Sequence, residues 1–262
     1  MLANYHTHTV RCHHAKGTER EYIEHAIEQG LRILGFSDHA PYCFPNGYTS
    51  NFRMGLEDFE GYCQTLSDLK AEYRGQIELH IGLEMEYYPS IFAKTLDWMR
   101  GSPIEYLILG QHFLGDEADE PYSGSPNNDE ATILRYLDQT TEALKTGCYT
   151  YFAHPDLIRG NVSPEFYRSA MTRLCETAKQ LHIPMELNLL GVGEHRAYPN
   201  DVFWSIVHDV GCDVVIGCDA HAPENVPAPP VLQEACAYLE RFGLTPMQTV
   251  ELQNPFVPRK FA

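Results

Sequence analysis

The chain has 262 residues, of which 44% are hydrophobic and 21% charged, a composition of a soluble globular protein long enough for one large core. Nineteen basic against 36 acidic residues leave a formal charge of −17, which opposes nonspecific binding to nucleic acid and to anionic membrane surfaces. No apolar run reaches the roughly 18 residues of a membrane span, and the opening MLANYHTHTV has no basic segment followed by an apolar one, so no secretory signal is expected and the cytoplasm is the expected location.

The opening segment Tyr5-His6-Thr7-His8-Thr9 is expected as a strand, which would send the imidazoles of His6 and His8 from one face toward a single metal ion. Thr18 with Glu21 makes a capping box for a helix that Gly30 stops. The run from Leu31 is a short strand ending in Ser37-Asp38-His39 and halted by Pro41, and residues 40 to 54 form a loop long enough to lie over a site. A helix is expected from Leu56 to Tyr73. A strand from Gln76 to Glu86 carries Glu84 past an internal glycine, and Pro89 opens a helix to Arg100.

Ile104 to Gly110 is an apolar strand that delivers Gln111-His112-Phe113. The acidic loop from 114 to 128 reads as a lid or, slightly better, as a solvated excursion. A helix spans Glu130 to Thr146. Cys148 to Ala153 is a strand leading to His154-Pro155-Asp156, and a helix from Pro164 to Leu181 has Ser163 as its cap. His182 to Leu187 is a strand running into Asn188, followed by a loop to Asn200 that holds His195, Arg196 and Tyr198. Asp201 to Asp209 is helical. Gly211 to Gly217 is the last strand and ends in Cys218-Asp219-Ala220-His221; a proline-rich loop from Pro223 to Pro230 precedes a helix from Leu232 to Phe242, and the tail closes the bottom or an edge.

Seven strand candidates, each followed by a helix or helix-bearing connection, imply an α/β fold with a parallel sheet. Ligand-type residues fall at the carboxyl ends of nearly all seven, and a barrel of TIM type brings them to one rim, whereas an open doubly wound sheet would gather only those near its switch point. A single domain over residues 1–262 is therefore expected.

The residues so gathered are His6, His8, His14, His39, Glu84, His112, His154, Asp219 and His221, seven imidazoles and two carboxylates. That is too much polarity for one mononuclear centre and suits two or three ions. Spacing alone does not divide the ligands among ions, nor does it choose between His13 and His14. Asp38 either orients a ligating imidazole or serves a turn. His25, His80, His182 and His208 lie within or beside periodic elements and are read as packed or surface histidines. The eight cysteines make no Cys-x-x-Cys pair and are expected as free thiols, Cys218 as a small apolar core group.

The segment His6-Thr7-His8-Thr9-Val10-Arg11-Cys12-His13-His14-Ala15-Lys16-Gly17-Thr18 resembles the polymerase and histidinol phosphatase (PHP) superfamily, most closely its histidinol-phosphate phosphatase branch. Further pieces agree in order: Ser37-Asp38-His39, Gly82-Leu83-Glu84, Gly110-Gln111-His112-Phe113, Ala153-His154-Pro155-Asp156, Glu186-Leu187-Asn188 and Asp219-Ala220-His221. The resemblance implies a distorted (β/α)7 barrel with three divalent ions, whether zinc, iron or manganese. It would give His6, His8, Glu84 and Asp219 to one ion, Glu84, His112 and His154 to the second, and His14, His39 and His221 to the third, with catalysis by water that the ions activate. By the same resemblance His14 is preferred to His13.

The activity so implied is hydrolysis of L-histidinol phosphate, a small phosphomonoester, to L-histidinol and inorganic phosphate in histidine biosynthesis. Arg159 and Arg196 are equal candidates for a forked contact with phosphate, with His195 beside them, and Asp116 or Glu117 could meet the cationic end of the substrate. Competing expectations are a phosphoesterase of other specificity, nucleases included, and a non-catalytic metal-stabilised interaction protein. No Gly-x-Gly-x-x-Gly turn or Walker loop suggests a nucleotide cofactor.

Overall fold

The apolar runs become strands in a computed structural model of the chain, which describes residues 1–45, 47–118 and 121–261. Seven strands, β1 (Ala3–Asn4), β2 (Ile33–Phe36), β3 (Glu78–Glu84), β4 (Tyr106–Leu109), β5 (Tyr151–Phe152), β6 (Met185–Asn188) and β7 (Val214–Gly217), pair in sequence order, all parallel. Helices α1 (Glu19–Glu28), α2 (Phe59–Glu72), α3 (Phe92–Met99), α4 (Glu130–Lys145), α5 (Pro164–Gln180), α6 (Leu189–Gly193), α7 (Asp201–Val210) and α8 (Pro229–Arg241) fill the connections. Their apolar faces bury Tyr22, Tyr62, Tyr136 and Trp204 completely against the sheet.

The ring is nearly closed. β1 and β7 share no ladder, but just beyond them Thr7 bridges Ala220 in parallel, His8 N donating to Ala220 O at 3.0 Å and Ala220 N to His6 O at 3.3 Å. Below that bridge the Asn4 side chain fills the seam, taking a hydrogen bond from Cys218 N at 2.9 Å and donating one to Thr7 Oγ1 at 2.7 Å. Inside the barrel Tyr5, Tyr106, Ile108, Tyr151 and Val215 form a second apolar cluster, and Val250 and Leu252 of the tail pack against it. Met247 N bonds Val214 O at 2.7 Å and Gln253 N bonds Thr150 Oγ1 at 3.0 Å, so the tail closes the amino end of the barrel as expected.

The expected capping box is present: Thr18 N donates to Glu21 Oε2 at 2.6 Å while Glu21 N donates to Thr18 Oγ1, an arrangement worth about 1 kcal/mol. Ser163 caps α5 through Phe166 N at 3.1 Å.

Four local expectations need correction. The opening strand is Ala3–Asn4 rather than Tyr5–Thr9, because the ladder with β2 ends before the histidines and only the bridge to Ala220 continues it. The segment 189–193 is a short helix, capped by Asn188 Oδ1 on Gly191 N at 3.0 Å, within the stretch to Asn200 expected as a loop. α8 begins at Pro229 because proline suits the first helical turn, so the expected loop is shorter. The loop from 114 to 128, whose residues 119 and 120 lie outside the described ones, is not a solvated excursion: Ser123 N bonds His112 O at 2.7 Å, and the Asn128 amide holds Ser123 O at 2.8 Å and Arg159 O at 3.0 Å.

Candidate metal centre

Parallel pairing sets every strand's carboxyl end at one rim, and the polar residues that stop the apolar runs meet there. His6 and His8 follow β1, His39 follows β2 and bridges Glu84, and Glu84 is the last residue of β3. His112, His154, Asp219 and His221 follow β4, β5 and β7. After His8 a tight turn over Val10–Cys12, capped by Thr9, ends in His13 at a left-handed φ of 67°. That reversal leaves His13 exposed and brings His14 back, its Nδ1 2.7 Å from Cys12 O. His154 and Asp219 also adopt left-handed φ values, 32° and 49°, a strained conformation that persists only where the surroundings enforce it.

Glu84 stands at the middle of the group. Its Oε1 is 2.7 Å from His154 Nε2 and 3.7 Å from His112 Nε2. Its Oε2 is 2.9 Å from His39 Nδ1 and 3.6 Å from both His6 Nε2 and His8 Nε2. Asp219 Oδ1 faces the same two imidazoles at 3.5 Å and 3.0 Å. Potential ligand atoms fall within 4.8 Å of one another in the sets His6–His8–Asp219, His6–Glu84–His154, His8–His39–Glu84 and His14–His39–His221.

Of these approaches, the one between His154 Nε2 and Glu84 Oε1 is a hydrogen bond; those to Glu84 Oε2 are close without being aligned as one. His6 Nε2, His8 Nε2, His39 Nδ1, His221 Nε2 and Glu84 Oε2 are buried with no hydrogen-bond partner among the described residues. Burial pushes Glu84 upward, yet His112, His39, His6 and the His154 contact carry its pKa well below the carboxylate range; Asp219 behaves alike beside His6 and His8. Burial pulls His6 down, and Glu186, Asp219 and Glu84 overcome it to hold the imidazole at about 10. Buried carboxylates at this density require compensating cations, either imidazolium protons or metal ions. Converging buried nitrogens and carboxylate oxygens without partners are what a divalent cation of the zinc, iron or manganese type needs, so the residues fit such ions.

A further layer fixes the rings. Glu186 Oε1 is 2.8 Å from His6 Nδ1 and its Oε2 accepts from His154 N at 3.0 Å, while the Asn188 amide ties Glu186 to Asp219 at 3.0 Å and 3.1 Å. Asp38 lies 3.3 Å from His8 Nδ1 and also accepts from Thr9 and from His39 N. Glu86 holds His112 Nδ1 at 2.9 Å and is itself clasped by Arg53, with two contacts of 2.9 Å. The sequence reading gave no role to Glu186, Glu86 or Arg53. Glu186, however, sits two residues from Asn188 on β6 and so shares its strand face, and Glu86 lies two residues past Glu84, the end of β3.

Two glycines make room for this layer. A Cβ on Gly110 would overlap the Glu84 carboxylate, and one on Gly217 the Glu186 carboxylate. Gly110→Ala should therefore leave a folded protein, destabilised by about 1–3 kcal/mol, whose affinity for divalent metal falls at least about tenfold; circular dichroism with metal titration checks this.

A cavity of about 420 Å³ opens above Glu84, Asp219, His14, His39, His112 and His221. Phe52 from the 40–54 loop, Phe113 and Tyr122 form one wall; Glu194, Arg196 and Tyr198 form another. Arg196 is braced by Glu194 at 2.8 Å and by the Tyr198 hydroxyl at 3.2 Å. Neither Arg159 nor His195 is among the described lining residues: Arg159 Nε turns to Gly124 O, and His195 is exposed. Glu117 does not face the cavity either, since it is buried against Arg53 Nε at 2.7 Å, and Asp116 accepts from Ala118 N at 3.0 Å. His80 pairs with Glu78 and Glu105 away from the site.

The PHP domain model matches residues 4–189. A Deinococcus radiodurans protein named "Probable histidinol-phosphatase" is 30% identical over 239 residues, 86% of this chain and 88% of that one. A Bacillus subtilis protein named histidinol-phosphatase is 33% identical over 176 residues, 63% of this chain and 56% of that one. Among solved structures, the histidinol phosphate phosphatase of Lactococcus lactis, crystallised with zinc, L-histidinol and phosphate, superposes with a TM-score of 0.71 over 95% of this chain and 98% of its own; at 18% identity this is a likeness of fold.

Proposed function

The chain belongs to the PHP domain family, and from that membership we propose that it is a metal-dependent histidinol-phosphatase, converting L-histidinol phosphate and water to L-histidinol and inorganic phosphate. The observation that carries this reading is the match to a histidinol-phosphatase relative over 88% of that protein's length. The cavity floored by histidines and carboxylates agrees with it.

By the family resemblance the donor set would take three divalent ions: His6, His8, Asp219 and Glu84 would hold one, Glu84 with His112 and His154 a second, and His14, His39 and His221 a third, and zinc, iron or manganese would suit such donors; the convergence of His6, His8 and Asp219 and of His14, His39 and His221 supports this. Bound there, divalent ions lower the pKa of water and neutralise phosphate oxygens. The chain's own groups do the rest. Glu186, Asp38 and Glu86 grip the Nδ1 side of His6, His8 and His112, so that each Nε2 faces the centre. Arg196, held by Glu194 and Tyr198, offers its guanidinium to phosphate oxygens, whereas Arg159 and His195 are not among the residues lining the cavity. Phe52, Phe113 and Tyr122 pack against the imidazole and carbon chain of the substrate. The reading places the enzyme in histidine biosynthesis in the cytoplasm, acting on a small phosphomonoester and on neither nucleic acid nor membrane.

The test is inorganic phosphate release from L-histidinol phosphate, compared with other phosphomonoesters and a phosphodiester. Expected is the highest kcat/KM for histidinol phosphate, lost on chelation and restored by reloading, with about three metal equivalents per chain. Efficient diester cleavage with no turnover of histidinol phosphate would sink the proposal.

A further inference from the structure

The ligand set above uses only imidazole and carboxylate, and it leaves one buried thiol unexplained. Cys12 is completely inaccessible, yet it packs in neither apolar cluster, whereas the other buried cysteines all lie in the main core. Its Sγ falls within 4.8 Å of one ring nitrogen each of His8 and His221, and the His221 ring stacks on that of His14 with centroids 4.5 Å apart. A thiol among aliphatic groups is a packing residue; a thiol beside two buried imidazole nitrogens is placed as a ligand would be.

The neighbouring atoms point the same way independently. The His8 side chain is wholly buried, and the Nε2 atoms of both His8 and His221 lack any hydrogen-bond partner among the described residues. His221 Nδ1 is occupied by Asp219 O at 3.0 Å and His14 Nδ1 by Cys12 O at 2.7 Å, which leaves the opposite nitrogen of each ring for the centre. The turn over Val10–Cys12 thus delivers Cys12 and His14 together, with His13 turned outward between them.

We infer that Cys12 supplies a thiolate ligand to the ion held by His14, His39 and His221, and that this position is the zinc-selective one of the centre. The inference rests on the metal-centre reading given above. On binding, the S–H bond breaks, its electron pair stays on sulfur and is donated to the cation, and the proton leaves to solvent. A soft thiolate favours zinc over manganese, while the remaining nitrogen and oxygen positions discriminate less.

The test is cobalt(II) substitution of the full chain, followed by visible and near-ultraviolet absorption. Expected is a thiolate-to-cobalt charge-transfer band beside the visible ligand-field bands, with Cys12→Ser abolishing the former and keeping the latter. Cys218→Ser, altering a core thiol next to Asp219, should keep both. In competition between zinc and manganese, the preference of one of the three positions should fall about tenfold or more in Cys12→Ser. Ligand-field bands without a charge-transfer band in the unmodified protein would overturn the inference while leaving the metal centre standing, and this reading needs no variant to fold. Failure to bind cobalt or zinc at all would remove the metal centre, and the inference with it.

Discussion

Glu84→Gln should reduce phosphate release by about a thousandfold or more, because it removes the one carboxylate that faces five imidazoles. His154, His39, His6, His8 and His112 all lie within 3.7 Å of its oxygens, and the residue is 1% exposed, so water cannot replace it. Metal ions in such sites contribute several kcal/mol to transition-state stabilisation, and each 1.36 kcal/mol is a factor of ten in rate. The substitution is nearly isosteric, so the far-ultraviolet circular dichroism should be unchanged while metal analysis shows fewer bound equivalents. Near-normal turnover with full metal content would remove Glu84 from the centre.

Arg53→Met should have the largest effect on stability, about 3–5 kcal/mol by denaturant titration. Arg53 is 2% exposed and meets Glu86 at two contacts of 2.9 Å, Glu117 at 2.7 Å and Ala40 O at 3.2 Å. Its loss strands two buried carboxylates. Glu86 also holds His112, so metal affinity should weaken together with stability. Adding Glu117→Gln should recover part of the lost stability, since one of the two stranded charges is then gone; a fully additive pair would show that the three groups do not act as a unit.

The barrel and its rim were legible because a parallel strand buried on both faces is a short apolar run, and a polar residue where the run stops lies at its carboxyl end. That reasoning located His39, Glu84, His112, His154 and Asp219 without coordinates. It failed where polar residues stand inside the run. Glu186 lies between Met185 and Leu187 and is 0% exposed, so it reads as an odd acid in a strand until its contacts with His6 and His154 are seen. Arg53 was invisible for another reason: its partners are 33 and 64 residues away, and only the folded loops bring them together. The substrate end was least legible, since Arg159 and Arg196 offer the same guanidinium in sequence and differ only in which way the loops turn them.

The tail that seals the amino end of the barrel has a kinetic consequence. With Tyr5, Tyr106 and Tyr151 filling the barrel and Val250 and Leu252 covering its amino end, the cavity among the described residues is reached from the rim, between Phe52, Phe113, Tyr122 and Arg196. Incoming ester and departing phosphate must use that opening in turn, so a lingering product excludes the next substrate, and inorganic phosphate should inhibit competitively.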